Sequence, residues 1–224
     1  EVQREIVAEI EGYQKVIDGA RMVVENYRPH IPIDPDWPMV ELGDKSLFRI
    51  ESGGTPRSSI SEYWDGGIPW ATLVDLPPDN FVTQITSTVR TISDKGLQES
   101  SAKLIPADSV IVSTRATIGR IAINRVPIAT NQGFKNIIIE DKSRAIPEFV
   151  AFAMIRLVPT MKEWATGGTF AEISKSKFCE LEISLPSIEV QKEIVAEIEA
   201  EEALVQANRD LIARFEKKIQ STLA

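Results

Sequence analysis

Few residues in this chain of 224 are able to do covalent chemistry. His30 is the only histidine and Cys179 the only cysteine. Ser-His-Asp, Cys-His and multi-histidine metal arrangements are therefore excluded within the chain, as is an intrachain disulfide. A single cysteine suits a reducing cytoplasm. Asp75-Leu76-Pro77-Pro78 has the outline of the Asp-Pro-Pro-aromatic tetrapeptide of amino-methyltransferases, but Leu76 breaks the spacing and Asp79 stands where the aromatic belongs. Neither a Gly-x-Gly cofactor loop nor a P-loop lysine accompanies it, so no cofactor is expected. One enzymatic pattern survives, a Mg²⁺-dependent nuclease. Glu140-Asp141-Lys142 closes a predicted strand and Asp108 opens another; two carboxylates holding the metal beside Lys142 would activate water for phosphodiester cleavage. The same acid-x-Lys pattern recurs at Glu216-Lys217-Lys218 on a predicted helix, in a chain that is 26% charged. A strand ending in a solvated charged turn explains it equally well, and no resident metal is expected.

Recognition chemistry is better represented. Reading bases takes Arg or Lys for guanine and Asn or Gln for adenine, with hydroxyls and backbone amides on phosphates. Residues 109–139 contain Arg115, Arg120, Arg125 and Lys135 and no Asp or Glu. Thr117, Asn131 and Gln132 lie in the same stretch. Gly53-Gly54-Thr55-Pro56-Arg57 and Gly167-Gly168-Thr169 would bring backbone amides to phosphates, and Lys175 completes the candidate set. Each residue also has a plainer reading: Gly119 and Gly133 serve turns, and Trp64 and Trp70 fill core. The net charge of −8 does not oppose this, because it is concentrated at the ends. Residues 1–35 hold 4 cations and 7 carboxylates and residues 189–224 hold 5 and 8, against 16 and 18 in residues 36–188.

The elements that position these groups follow from periodicity. Strands are predicted at 39–42, 46–50, 81–89, 109–114, 119–124, 135–140 and 182–185. Helices are predicted at 147–158, 160–165 and 173–181, and double glycines at 53–54, 66–67 and 167–168 mark turns or close backbone approaches. Residues 28–38 carry prolines at 29, 32, 35 and 38 and read as a stiff polyproline spacer.

Framing all this is a repeat. Residues 1–11 (EVQREIVAEIE) and 189–199 (EVQKEIVAEIE) differ only by Arg4 against Lys192. Apolar residues recur every seven positions at Ile10, Ile17, Val24 and at Ile198, Val205, Ile212, Ile219, with a second stripe at Val16, Val23 and at Leu204, Leu211. That is a coiled-coil-like seam on two long helices, 1–27 and 188–224, expected to pack antiparallel within one chain or between two copies. The second helix would be roughly 50 Å long at 1.5 Å per residue. The first begins without Met or an N-cap, which predicts a chain cut from a longer protein. The fold class expected is α+β, a β-rich domain at 39–187 framed by the two helices, and no apolar run is long enough for a membrane span.

SGGTP (52–56), YWDGGIPWATLVDL (63–76), KLIPADSVIVSTRATIGRIAI (103–123), ATNQGFKNI (129–137) and GTFAEISKSKFCELEISLP (168–186) occur in that order. Together they resemble the target-recognition domain of type I restriction-modification specificity subunits, and the closing EVQKEIVAEIE helix is similar to the conserved helix that follows each such domain. The resemblance implies a subunit with no catalytic activity of its own. It implies two recognition domains joined by antiparallel helices, each reading one half of a split double-stranded DNA target. The helices would dock adenine methyltransferase subunits, with the restriction subunit joining indirectly. The order helix, domain, helix matches the second half of such a subunit, and a homodimer through the helices would restore two recognition domains. The acid-free stretch is then expected to face the groove, with Arg115 and Arg120 nearest the DNA and Lys135 close by. The acidic helices would point away and set the gap between half-sites, one or more turns of roughly 34–36 Å. A structural coiled-coil adaptor, whose middle domain binds protein, is the remaining alternative.

Overall fold

The computed structural model describes residues 2–32, 34–78, 81–167 and 171–223. Helix α1 (Val2–Asn26) is followed by strands β1 (Met39–Glu41), β2 (Phe48–Ser52), β3 (Trp64–Ala71), β4 (Thr83–Ile85) and β5 (Thr91–Ile92), then helix α2 (Asp94–Gln98). Strands β6 (Val110–Ser113), β7 (Ile121–Asn124), β8 (Ala129–Thr130) and β9 (Phe134–Ile139) come next. Helices α3 (Pro147–Trp164) and α4 (Lys175–Cys179), strand β10 (Glu182–Ser184) and helix α5 (Ile188–Leu223) complete the chain. Two compact units result, Ile31–Ile194 and the pair Glu1–His30 with Val195–Ala224.

The larger unit is built on a five-stranded sheet of order β2-β9-β6-β7-β4, antiparallel except for the parallel β4/β7 pair. Its three interior strands, β9, β6 and β7, are buried at every residue, as strands covered on both faces must be. Side chains alternate between faces. Ile111, Ala122, Phe134 and Ile138 therefore share one face, where they join Ala71, Leu76, Ile105 and Ile128 in a core. Helix α3 packs on β6 and β7 and buries Phe149, Val150, Phe152 and Met154. A three-stranded sheet, β5-β3-β8, adds a small core of Trp70, Ile92, Ala102 and Ala129. Strands β1 and β10 form a separate pair.

Several expectations need correcting. Trp64–Ala71 is a strand outside the expected set, and of the two readings of Gly66-Gly67, a turn or a close backbone approach, the close approach holds. The pairing with β5 bulges between Trp64 and Ile68, Gly67 has φ +90°, and a Cβ on Gly66 would sit 2.2 Å from Ser93 Cα. Of the predicted 81–89 strand only Thr83–Ile85 pairs. The helix at 147–158 does not stop at its proline. Pro159 removes a single ladder hydrogen bond, and the helix continues to Trp164 with Met161 buried beyond it. Beyond His30 the proline-rich segment is part of the larger unit rather than a free spacer. Ile31 is buried, its carbonyl accepts from Arg156 Nη1 at 3.4 Å, and the chain turns where Trp37 N donates to Asp34 O at 3.2 Å.

In the smaller unit α1 and the Val195–Leu223 part of α5 run antiparallel within one chain. Tyr27 Oη lies 3.5 Å from Ile198 O, the Tyr13 and Phe215 rings are 5.1 Å apart, and Arg21 pairs with Glu216 at 2.6 Å. Ile17, Ile198 and Val205 are buried in this pairing, while Ile10, Val24, Ile212 and Ile219 are half-buried. The second stripe is more open, with Val16, Val23 and Leu204 exposed. No helix among the described residues is long and apolar enough to cross a membrane.

Candidate nucleic-acid interface

Strand directions decide which candidate residues meet. β6 runs towards Arg115, and β7 returns antiparallel to it with Ile121 opposite Val112. β9 begins beside the end of β6, with Phe134 opposite Ser113, and β2 ends there too, with Ser52 opposite Lys135. The segments after β2 and β6 and those before β7 and β9 therefore all lie at one end of the sheet. β3 delivers Thr72–Leu76 to the same place, because Asn131 N donates to Ala71 O at 3.0 Å. Thr55, Arg115, Thr117, Arg120, Asn131 and Gln132 are gathered on this rim.

Local hydrogen bonds make the rim rigid. Gly53 and Gly54 let the chain press against β8 and β9. Gly53 N donates to Phe134 O at 3.2 Å, Gly54 N to Thr130 O at 2.8 Å, and a Cβ on Gly53 would lie 1.8 Å from Asn131 O. Their amides are thus consumed by the fold, contrary to the expectation that they serve phosphates. Thr55 is hydrogen-bonded to Gln132, and both are exposed. Asn131 spends its Oδ1 on Gly133 N at 2.9 Å. Fully buried Ser113 shapes the 114–119 loop: its Oγ donates to Thr117 O at 2.6 Å and accepts from Arg120 N at 2.8 Å. Thr117 stands exposed there, and Arg120 Nη1 reaches Leu76 O at 2.5 Å. Leu73, Arg115, Ala116, Asn131, Gln132, Gly133 and Phe134 line a shallow cavity of about 220 Å³.

Other candidates lie elsewhere or are already committed. Lys135 is buried in the sheet with its side chain 5% exposed, and Nζ is hydrogen-bonded to Glu172 at 3.1 Å and Thr114 Oγ1 at 3.4 Å. A desolvated ammonium held this way supports the rim from beneath, so it is not close to a surface ligand. Arg115 also faces Glu172, at 3.8 Å. Arg125 is at the opposite end of β7, bound to Asp108 at 2.7 Å and Glu148 at 2.5 Å. Burial would lower its pKa, but the hydrogen bonds to Glu148 and Asp108 prevail and raise it. Lys175 lines a different cavity, with Leu42, Lys45, Glu51, Glu140 and Cys179. Burial pushes the Cys179 thiol up, against the opposing charge of Lys175. Thr169 and Gly168 lie outside the described residues, as does Asp79.

The nuclease trio is dispersed among other pairings. Asp108 meets Lys142 at 3.9 Å but is bound to Arg125, and Glu140 pairs with Arg49 at 2.6 Å. Among the described residues no group of three His, Cys, Asp or Glu is placed to hold a metal ion. Two rim features escaped sequence reasoning. Glu172 enters from beyond the acid-free stretch, and Arg90 stacks its guanidinium 3.8 Å from the centre of the Trp64 ring. An arginine next to a predicted strand, in a chain with two nearby tryptophans, was the available signal.

The family profile described as "Type I restriction modification DNA specificity domain" matches residues 35–217. This chain belongs to that family. The MjaIX specificity subunit of Methanocaldococcus jannaschii is 35% identical over 162 residues, covering 72% of this chain and 37% of that protein. The HindI specificity subunit of Haemophilus influenzae is 31% identical over 165 residues, covering 71% and 35%. The matching part of the chain thus spans little more than a third of the length of these curated relatives. The fold is shared with the HsdS subunit from Thermoanaerobacter tengcongensis, at TM-score 0.61 and 21% identity over 100% of this chain and 52% of that one. A chain from a type I R-M assembly superposes at TM-score 0.68, also with 21% identity, covering 100% and 58%.

Proposed function

We propose that this chain is the DNA-reading part of a type I restriction-modification specificity subunit, without catalytic activity, working in the cytoplasm. It reads one half of a split duplex target with the rim that carries Thr55, Arg57, Arg115, Thr117, Arg120 and Gln132. Adenine methyltransferase subunits dock on the helix pair, and the restriction subunit joins through them. The observation that carries this reading is the convergence of the SGGTP, TRATIG and TNQG segments on one end of the sheet. Short polar side chains and arginines are presented there on loops fixed by local, mostly part-buried hydrogen bonds. Arg57 adds an exposed cation with no carboxylate in ion-pair range among the described residues. The exposed stripe at Val16, Val23 and Leu204 supports a protein partner on the helices, and a second copy there would supply the other half-site.

The test is duplex affinity against salt, measured on the chain assembled with methyltransferase subunits. Contacts to several phosphates make log affinity fall with log salt at about 0.9 per contact. Arg57→Ala and Thr117→Ala should weaken binding, and a lost cationic phosphate contact should flatten that slope by about one. Binding that ignored salt would overturn the reading. Sedimentation of the chain alone decides whether two copies pair.

A further inference from the structure

Beside the gathered motifs the rim carries a second feature, built by one carboxylate. Asp75 Oδ2 accepts from Thr72 N at 2.7 Å and Oδ1 accepts from Val89 N at 2.8 Å, so a single side chain clamps the 72–76 and 86–90 loops together. Thr88 tightens the second loop, its Oγ1 accepting from Trp70 N at 3.0 Å and donating to Arg90 O at 2.6 Å. What this rigid pair of loops displays is apolar. Val74 and Val89 are each 74% exposed. A single exposed valine needs no explanation, but two held up by the same carboxylate form a built surface. Next to them Arg90 lies over Trp64 at 3.8 Å and 5.4 Å from Trp70, with no carboxylate in ion-pair range among the described residues. Elsewhere on this face Arg115 is tied down by Glu172, at 3.8 Å.

We propose that Val74, Val89 and Arg90 form the edge of the domain that reads bases in the major groove. Arg90 takes guanine, and the two valines pack on a thymine 5-methyl group. This rests on the DNA-recognition reading above. Guanine presents O6 and N7 side by side, which matches the fork of a guanidinium, and thymine is the one base with a methyl in that groove. Stacking on an indole fixes the plane of the guanidinium before DNA arrives, so little freedom is lost on binding. The clamp does the same for the valines. Arg57, whose carbonyl accepts from Trp64 Nε1 at 3.3 Å, stands next to this edge as a phosphate-side cation.

The experiment is selection from a duplex pool with randomised positions, using the chain assembled with methyltransferase subunits. Wild type is compared with Arg90→Lys, Val89→Ser and Val74→Ser, and thermal melting verifies that each variant folds. Wild type should enrich a half-site containing a guanine and a thymine. Arg90→Lys keeps the charge but loses the fork, so preference for that guanine should fall roughly 5- to 140-fold with the salt slope unchanged. The serine variants should lose the thymine preference by at least about fivefold and leave the guanine intact. Variants that enrich the wild-type motif unaltered place the reading edge elsewhere. A wild type that binds the pool with a steep salt slope but selects no motif overturns this edge and leaves DNA binding standing. A wild type that binds the pool with no salt dependence overturns the recognition reading itself.

Discussion

The two copies of the eleven-residue repeat are almost the same sequence in different surroundings. In the second copy Gln191 is fully buried. Its amide donates to Arg144 O and Pro186 O, each at 2.8 Å, and its Oε1 accepts from Ile146 N at 3.1 Å. Its counterpart Gln3 is exposed. Val195 is 7% exposed where Val7 is 54%. Further along, the copies converge: Ile17 and its counterpart Val205 are both buried, because there the helices face each other. An amphipathic pattern therefore guarantees an apolar face and leaves open what covers it. The same glutamine is a solvated surface group at position 3 and a three-way backbone cap at position 191.

The largest effect expected lies where the copies agree. Val205→Asp with Ile212→Asp puts two carboxylates into the helix seam and should separate the helices, at a cost on the order of 4 kcal/mol. A thermal midpoint unchanged from wild type would break the claim of a shared seam. Next comes the matched glutamine pair. Gln191→Ala strands three backbone groups and should lose about 2–4 kcal/mol, against at most about 0.5 kcal/mol for Gln3→Ala. Denaturant midpoints at constant slope measure the difference, and equal losses would erase it. Val195→Ala against Val7→Ala is a gentler version, about 1–2 kcal/mol against less than about 0.5.

The smallest effect is a pH dependence confined to the second copy's continuation. Burial, and after it the like charge of Glu199, raises the pKa of Glu202. A folded pKa above the unfolded value means the folded state holds the proton more tightly, so ionised Glu202 opposes folding at neutral pH. That penalty fades as pH falls through the raised folded pKa. Glu202→Gln should therefore melt above wild type at pH 7, and the gap should close on acidification towards about pH 4. A gap that widened on acidification would show the carboxylate to be favourably placed.

Much of this was legible in the residues. The two long helices and the strands at 110–113, 121–124 and 134–139 follow from periodicity and turn chemistry, which are local properties of the chain, and the motif segments from their resemblance to a known family. The α+β class needed nothing more. Hidden from it were a strand running through Gly66-Gly67, because a bulge and a turn ask for the same residues, and a helix continuing past Pro159 to bury Met161. The absence of acids from residues 109–139 was real in sequence and not in space. The β6–β7 hairpin sends Arg125 to the far end of the sheet, where Asp108 and Glu148 take it up, and Glu172 arrives from outside the stretch to meet Arg115 and Lys135. Charge is screened and paired over a few ångströms of space, whereas a sequence window counts only neighbours along the chain. For this protein the sequence determined the two long helices, the main strands of the five-stranded sheet and the residue types they carry. Only the tertiary structure decided which cations are tied down, which glutamine is buried, and which loops come together at one end of the sheet.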